Sequence, residues 1–354
     1  MTEIKPLSIG NLTAKIPVIQ GGMGVGVSLS NLAGAVASCG GIGIISTAQI
    51  GYREPDFYRN PFQANFRALA AEIRRAKEKA GNGIIGVNIM VATRRYADYV
   101  REAVKAGADL IISGAGLPTE LPELVKGTST KIVPIISNLK GAKVILKYWE
   151  KKHSRIPDLL VVEGPMAGGH LGFSAEELDH YAEEPRDYER ELCDIIAFVR
   201  EYEAKKGCRI PVVAAGGIFD RKDMDRALAL GADGVQVATR FVTTYECDAD
   251  MAFKQAYLDA GKEDIQIVKS PVGMPGRAIR NPFLERASKG RIPVEHCYQC
   301  INGCVSSETP YCITSALVNA VKGNVDEGLL FCGENAWRCE KMEHVSDIMR
   351  EFSE

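Results

Sequence analysis

The chemistry in this chain gathers at glycine-rich turns that follow short apolar runs. The segment Glu163-Gly-Pro-Met-Ala-Gly-Gly-His170 follows the run Leu159–Val162, and Ala215-Gly-Gly-Ile218 follows Pro211–Ala214. Glycine leaves the backbone N–H bare, so two such turns can close on one anion. His170 stands beside the first turn. It is the only one of five histidines in such a context, and an imidazole titrating near neutrality suits a general acid–base. A structural histidine beside a phosphate is the plainer alternative. Glu163 ends its run, where a carboxylate could hold a ribityl hydroxyl or pair with a neighbour. Asn88, ending Gly86-Val-Asn88, could bond a flavin edge through its amide or simply cap a loop. Gln20-Gly-Gly-Met-Gly-Val-Gly26 would let the backbone lie flat against a ring system, or form an ordinary turn. Gly234-Val-Gln-Val-Ala-Thr-Arg-Phe241 adds Thr239 and helix N-terminal amides as phosphate donors.

A second constellation is Cys297-x2-Cys300-x3-Cys304-x7-Cys312, in a chain of ten cysteines with six crowded between 297 and 339. Soft ligands at this density suit an iron–sulfur cluster, [4Fe–4S] before zinc, with Cys332 and Cys339 as alternative ligands. Unligated thiols packed in a small subdomain are the other reading.

These residues need a scaffold that brings distant turns together. Eight buried-strand candidates recur: Ile16–Gln20, Ile42–Ser46, Ile84–Asn88, Leu110–Ser113, Ile132–Ile136, Leu159–Glu163, Val212–Ala215 and Gly234–Val237. They alternate with amphipathic segments at 65–80, 96–106 and 220–230. Gly107 and Gly231 are placed to end helices before the next strand. Eight βα units predict a TIM (β/α)8 barrel with a cysteine-rich C-terminal segment. The expected division is a barrel over 1–245, with a helical insertion or lid near 174–209, and a substrate-facing, cysteine-rich region over 246–354 packed on it. The loop Ser270–Arg280 is expected to face substrate.

The 354 residues carry a net charge of −2, which invites neither nucleic acid nor an anionic membrane. No run is long enough for a membrane span and no signal peptide is evident, so a cytoplasmic protein is expected. The sequence does not set the oligomeric state; a homodimer is one arrangement it would allow.

Five motifs, Pro17–Gly24, Gly86–Asn88, Glu163–His170, Ala214–Ile218 and Gly231–Phe241, together resemble the nitronate monooxygenase family, formerly called 2-nitropropane dioxygenase. That family includes the FMN-dependent enoyl-acyl carrier protein reductases. The resemblance implies an FMN-bound barrel. It places Gly22 and Met23 along the flavin, with Asn88 and Glu163 at its ring or ribityl chain. Ala167, Gly168, Gly169, Gly216, Gly217, Gln236, Ala238 and Thr239 surround the phosphate, and His170 is the active-site histidine. The leading expectation is oxidation of an alkyl nitronate with oxygen. The alternative is reduction of an enoyl thioester, carried on acyl carrier protein or CoA, with NAD(P)H as co-substrate. A non-catalytic flavin-binding or electron-transfer protein is the reading from another class. The longer acidic segment after His170 and the cysteine-rich tail depart from the family pattern.

Overall fold

The computed structural model describes residues 4–354. Eight parallel strands close into a barrel: β1 (Val18–Gln20), β2 (Ile42–Ser46), β3 (Ile84–Met90), β4 (Leu110–Gly114), β5 (Lys131–Ile136), β6 (Leu160–Glu163), β7 (Val212–Ala215) and β8 (Gly234–Val237), with β8 pairing back to β1. These are the eight runs expected from the sequence, shifted by at most two residues at an end.

The strand period of two sorts the side chains. In β2, Ile42 and Ile44 join the barrel interior with Ile19, Ile112, Val133, Val161 and Val213. Ile45 faces the outer helical layer, and Gly43 leaves room for a helix to touch the strand: a Cβ there would meet the Ala33 carbonyl at 1.9 Å. An N-terminal hairpin, Leu7–Ile9 with Leu12–Ala14, puts Leu7, Ile9 and Ala14 into the same interior cluster and so plugs one end. Nothing in the strand pattern had signalled this plug.

The Ala-Gly-Ala-Asp and Leu-Gly-Ala-Asp motifs do two jobs. Gly107 and Gly231 adopt φ of +85° and +101°, ending their helices as expected. The aspartates then bond back to the preceding strand: Asp109 accepts from Ile85 N–H at 2.9 Å and Asp233 from Val212 N–H at 2.7 Å. Asp158 does the same for Ile132 N–H at 2.8 Å. A repeated carboxylate thus satisfies strand-start donors that would otherwise lack partners.

After β6 the chain forms the helices Ala175–Glu183 and Pro185–Lys206, the first opened by a capping box between Ser174 and Glu177. The segment predicted near 174–209 is therefore a two-helix crossover. C-terminal to β8, the strands Ile265–Lys269 and Pro275–Ile279 form a sheet with the two-residue strand Gly169–His170. The terminal helix Val345–Ser353 places Val345, Ile348, Met349 and Phe352 in the outer core shared with the barrel helices. Among the described residues, no helix is long and apolar enough to cross a membrane.

Candidate functional site

The C-terminal ends of the barrel strands open into one cavity, the end at which β/α barrels hold ligands. All thirteen residues expected to bind cofactor or catalyse line it: Gly22, Met23, Asn88, Glu163, Ala167, Gly168, Gly169, His170, Gly216, Gly217, Gln236, Ala238 and Thr239. They come from five of the eight strand ends.

The glycines are required by close approach. A Cβ on Gly22 would stand 2.4 Å from the Asn88 Cβ, so the bare Gly22 lets the chain leaving β1 and the Asn88 side chain of β3 approach each other across the intervening β2. Gly216 and Gly217 both take left-handed φ, +89° and +81°, a backbone that glycine adopts without a steric penalty. A Cβ on Gly169 would meet nothing within 4 Å, so that turn borders open space. This glycine-walled, donor-rich space fits a phosphate-bearing cofactor.

His170 is not carried on a free loop. Its strand pairs with Pro275–Ile279, His170 opposite Gly276, and Leu171 N–H donates to the Pro275 carbonyl at 2.9 Å. His170 Nε2 lies 2.7 Å from Ser270 Oγ, and Phe331 meets the ring edge-on with centroids 4.9 Å apart. Burial pushes the imidazole down to about 4, so it is neutral at pH 7. Burial pushes Glu163 up to about 7, holding its carboxyl largely protonated below that pH. Tyr188 packs beside Gly164, and its hydroxyl is buried without a hydrogen-bond partner.

The region after β8 supplies another part of the wall, Phe253, Tyr257, Leu317, Leu329, Phe331, Cys332, Gly333 and Asn335, beside further barrel residues such as Ser46, Met90, Thr93 and Ile135. Of these residues Cys332 alone was named from the sequence, as an alternative metal ligand rather than a cavity residue, and Ser270 was not singled out individually. Their motifs are unremarkable, and they reach the site only by folding back over long separations, 100 residues for Ser270 and His170.

The cysteine expectation fares differently. Cys300 and Cys304 feel each other and Cys312 electrostatically, and Cys304 also feels Cys297. The four are near one another, and burial raises the Cys300 and Cys304 thiols above their ordinary range. Among the described residues, no group of three or more His, Cys, Asp or Glu side chains is arranged to hold a metal. Cys332 and Cys339 are buried elsewhere, Cys332 in the cavity wall and Cys339 near the Thr239 carbonyl. The arrangement does not fit the expected [4Fe–4S] centre. The segment instead docks on the loop after β3, where Arg94 N–H donates to the Cys300 carbonyl at 3.0 Å and Asn302 N–H to the Ala92 carbonyl at 2.9 Å.

A closed parallel barrel with a glycine-walled cavity and a buried histidine defines a cofactor-binding β/α-barrel protein. The chain belongs to the nitronate monooxygenase family, whose model matches residues 5–354. It is 28% identical over 274 residues to the (3aS,4S,5R,7aS)-5-hydroxy-7a-methyl-1-oxo-octahydro-1H-indene-4-carboxyl-CoA dehydrogenase of Mycobacterium tuberculosis, covering 77% of this chain and 66% of that protein. The match thus spans just under two thirds of that relative's length. A probable nitronate monooxygenase of Bacillus subtilis is 27% identical over 289 residues, 76% of this chain and 78% of its own. The fold is that of FabK from Thermotoga maritima, with a TM-score of 0.71 at 24% identity over 96% of this chain and 92% of that one.

Proposed function

We propose that the protein is an FMN-dependent oxidoreductase whose substrate presents an uncharged reacting group to the cavity, with an enoyl thioester favoured over a preformed alkyl nitronate. The observation that carries this reading is the charge of the cavity. Among the described residues, its lining contains no Lys or Arg. Its two acid–base side chains, Glu163 and His170, are both held toward their neutral forms at pH 7. A small anion reacting beside Glu163 and His170 would give up water without a cation to meet it, whereas the cofactor phosphate is met by backbone donors of the glycine turns. An apolar-bodied neutral substrate would instead gain contact with Phe253, Tyr257, Leu317, Leu329 and Phe331. The naming of the mycobacterial relative for a carboxyl-CoA compound agrees with a thioester.

The glycines of β6, β7 and β8 would hold the FMN phosphate, with Gly22, Met23 and Asn88 along the ring system and Glu163 at the ring or ribityl chain. FMN held there would supply reversible two-electron chemistry, of the kind suited to hydride transfer from NAD(P)H to the β-carbon of an enoyl group. His170 acts at the substrate. Ser270 occupies one ring nitrogen and leaves the other to bond the thioester carbonyl or move a proton.

A second reading, oxidation of a neutral nitroalkane, is favoured by the same histidine: unprotonated above about pH 4, it is ready to take a proton from carbon. A carrier without turnover is the third. Anaerobic mixing separates them. Bleaching of the flavin by NADH or NADPH, with colour restored by an enoyl-CoA thioester, supports the reductase. Bleaching by a nitroalkane or nitronate alone overturns it in favour of nitroalkane chemistry. Bleaching by none of them points to a carrier.

A further inference from the structure

Three parts of the glycine cup, far apart in sequence, are tied to one four-residue segment near the C-terminus. Gly333 N–H donates to Thr239 Oγ1 at 3.0 Å, across 94 residues, at the end of β8. Asn335 Nδ2 donates to the Gly217 carbonyl at 2.7 Å, across 118 residues, in the turn after β7. Glu334 N–H donates to the Met166 carbonyl at 3.2 Å, in the turn after β6. The segment also lies directly on Gly168, where a Cβ would stand 2.6 Å from the Cys332 carbonyl carbon and the Gly333 nitrogen.

Arg277 locks this arrangement from behind. Its guanidinium is buried, donates to the Pro165 and Ala167 carbonyls at 2.8 and 2.5 Å, and pairs with Glu334 at 2.8 Å. The Arg277 carbonyl in turn accepts from Cys332 N–H at 3.0 Å.

These bonds have directional consequences. A threonine hydroxyl has one proton, and an Oγ1 that accepts from Gly333 must aim that proton elsewhere. Thr239 lines the cavity, so the proton is left for a ligand there. A trans peptide holds its C=O and the following N–H on opposite sides. Pinning the Gly217 carbonyl to Asn335 therefore also sets the direction of the Ile218 N–H.

We propose that Cys332–Asn335 is a working wall of the cofactor-phosphate site: it aims the donors of the cup, so retention of a phosphate-bearing flavin depends on it. The proposal rests on the FMN reading above. Its signature is selective for phosphate. Riboflavin shares the ring and ribityl chain with FMN but lacks the phosphate, so the ratio of the two affinities reports the cup alone.

The test is binding of FMN and riboflavin to apo-protein, followed by flavin fluorescence, for the parent, Asn335→Ala and Gly333→Ala. Asn335→Ala removes a single bond from a half-buried side chain. Gly333→Ala puts a Cβ 2.6 Å from Thr239 Oγ1 and is the more disruptive. The proposal expects each variant to lose at least about tenfold in FMN affinity while riboflavin affinity stays within about twofold, the size of one lost charged hydrogen bond. Should Gly333→Ala fail to fold, Asn335→Ala decides alone. An unchanged ratio in Asn335→Ala overturns the proposal with the flavin reading intact. Equal losses for both ligands also overturn it, since they indicate a general structural role. A parent that binds neither ligand overturns the flavin reading and this inference with it.

Discussion

At the scale of single residues, the account turns on two side chains kept from their ordinary charge. His170 is unprotonated down to about pH 4 because the protein around it penalises the cation. A step that needs its base form should stay active on the acid side to about pH 4, well below the ordinary histidine value. His170→Asn should lower turnover by about 10²–10⁴-fold and abolish that acid limb. An acid limb near 6.5 in the parent would contradict the buried, neutral imidazole. Ser270→Ala should leave cofactor content alone, lower kcat more than it changes KM, and move the limb, because Ser270 acts only through the ring it bonds. Glu163 carries the opposite sign. Between its ordinary 4.5 and its folded value of about 7, the folded chain keeps a proton that the unfolded chain loses. Stability contributed at this site therefore falls as pH rises through that window, on the order of a few kcal/mol at most. Glu163→Gln should flatten that slope in unfolding titrations; an unchanged slope would remove Glu163 as its source. That His170 lines the cavity was legible from its glycine context alone. Its partner was not, since nothing in Ser270-Pro-Val-Gly marks a residue that meets a histidine 100 positions earlier.

At the scale of elements, the parallel strands were the legible part. Runs such as Ile42–Ser46 are buried on both faces, so they read as unbroken apolar stretches bounded by glycine or polar residues. Short antiparallel pieces were not legible. Leu7–Ile9 and Gly169–His170 span three and two residues, too few to show a period. One helix start also depends on a remote residue. The helix Ser30–Ser38 has Leu29 at its N-cap with no side-chain cap of its own. Asp248 supplies the acceptor instead, taking N–H groups of Leu29 at 2.8 Å, Asn31 at 3.3 Å and Leu32 at 3.2 Å from 216 to 219 residues away. Asp248→Ala should cost about 1–2 kcal/mol, the worth of a lost cap, measured by denaturant unfolding. A loss below about 0.3 kcal/mol would show that water replaces it. The cysteine segment teaches a related lesson. Spacing brought the thiols near each other, but spacing alone does not aim side chains at one point, and among the described residues no group of three or more forms that could hold a metal.

At the scale of the whole molecule, the region after β8 closes the barrel mouth and is fastened at several points. Arg240, one residue beyond Thr239, is buried and pairs with Glu343 at 3.1 Å and Glu351 at 2.6 Å, the latter on the terminal helix. Arg240→Ala should destabilise the protein by about 1–3 kcal/mol, since it leaves the mostly buried Glu343 without its cation, while Glu351, 40% exposed, can turn to water. It should also loosen the wall next to the cup; a thermal midpoint equal to the parent's would refute the fastening. The same closure explains the cavity's mixed character, with backbone donors at one end and an apolar, cation-free wall at the other. Its central claim is that the glycine cup holds the phosphate of FMN, and flavin occupancy of the purified parent and of Gly217→Asp tests it most directly. Gly217 sits at φ +81° and its would-be Cβ meets the Met166 side chain at 3.0–3.1 Å, so any side chain there is strained; Gly217→Asn, equal in size but uncharged, is the control that isolates the carboxylate's charge against a phosphate. The expected result is about one non-covalent FMN per parent chain and a folded, colourless variant. Full flavin occupancy in Gly217→Asp, or a parent that carries and binds none, would contradict the account.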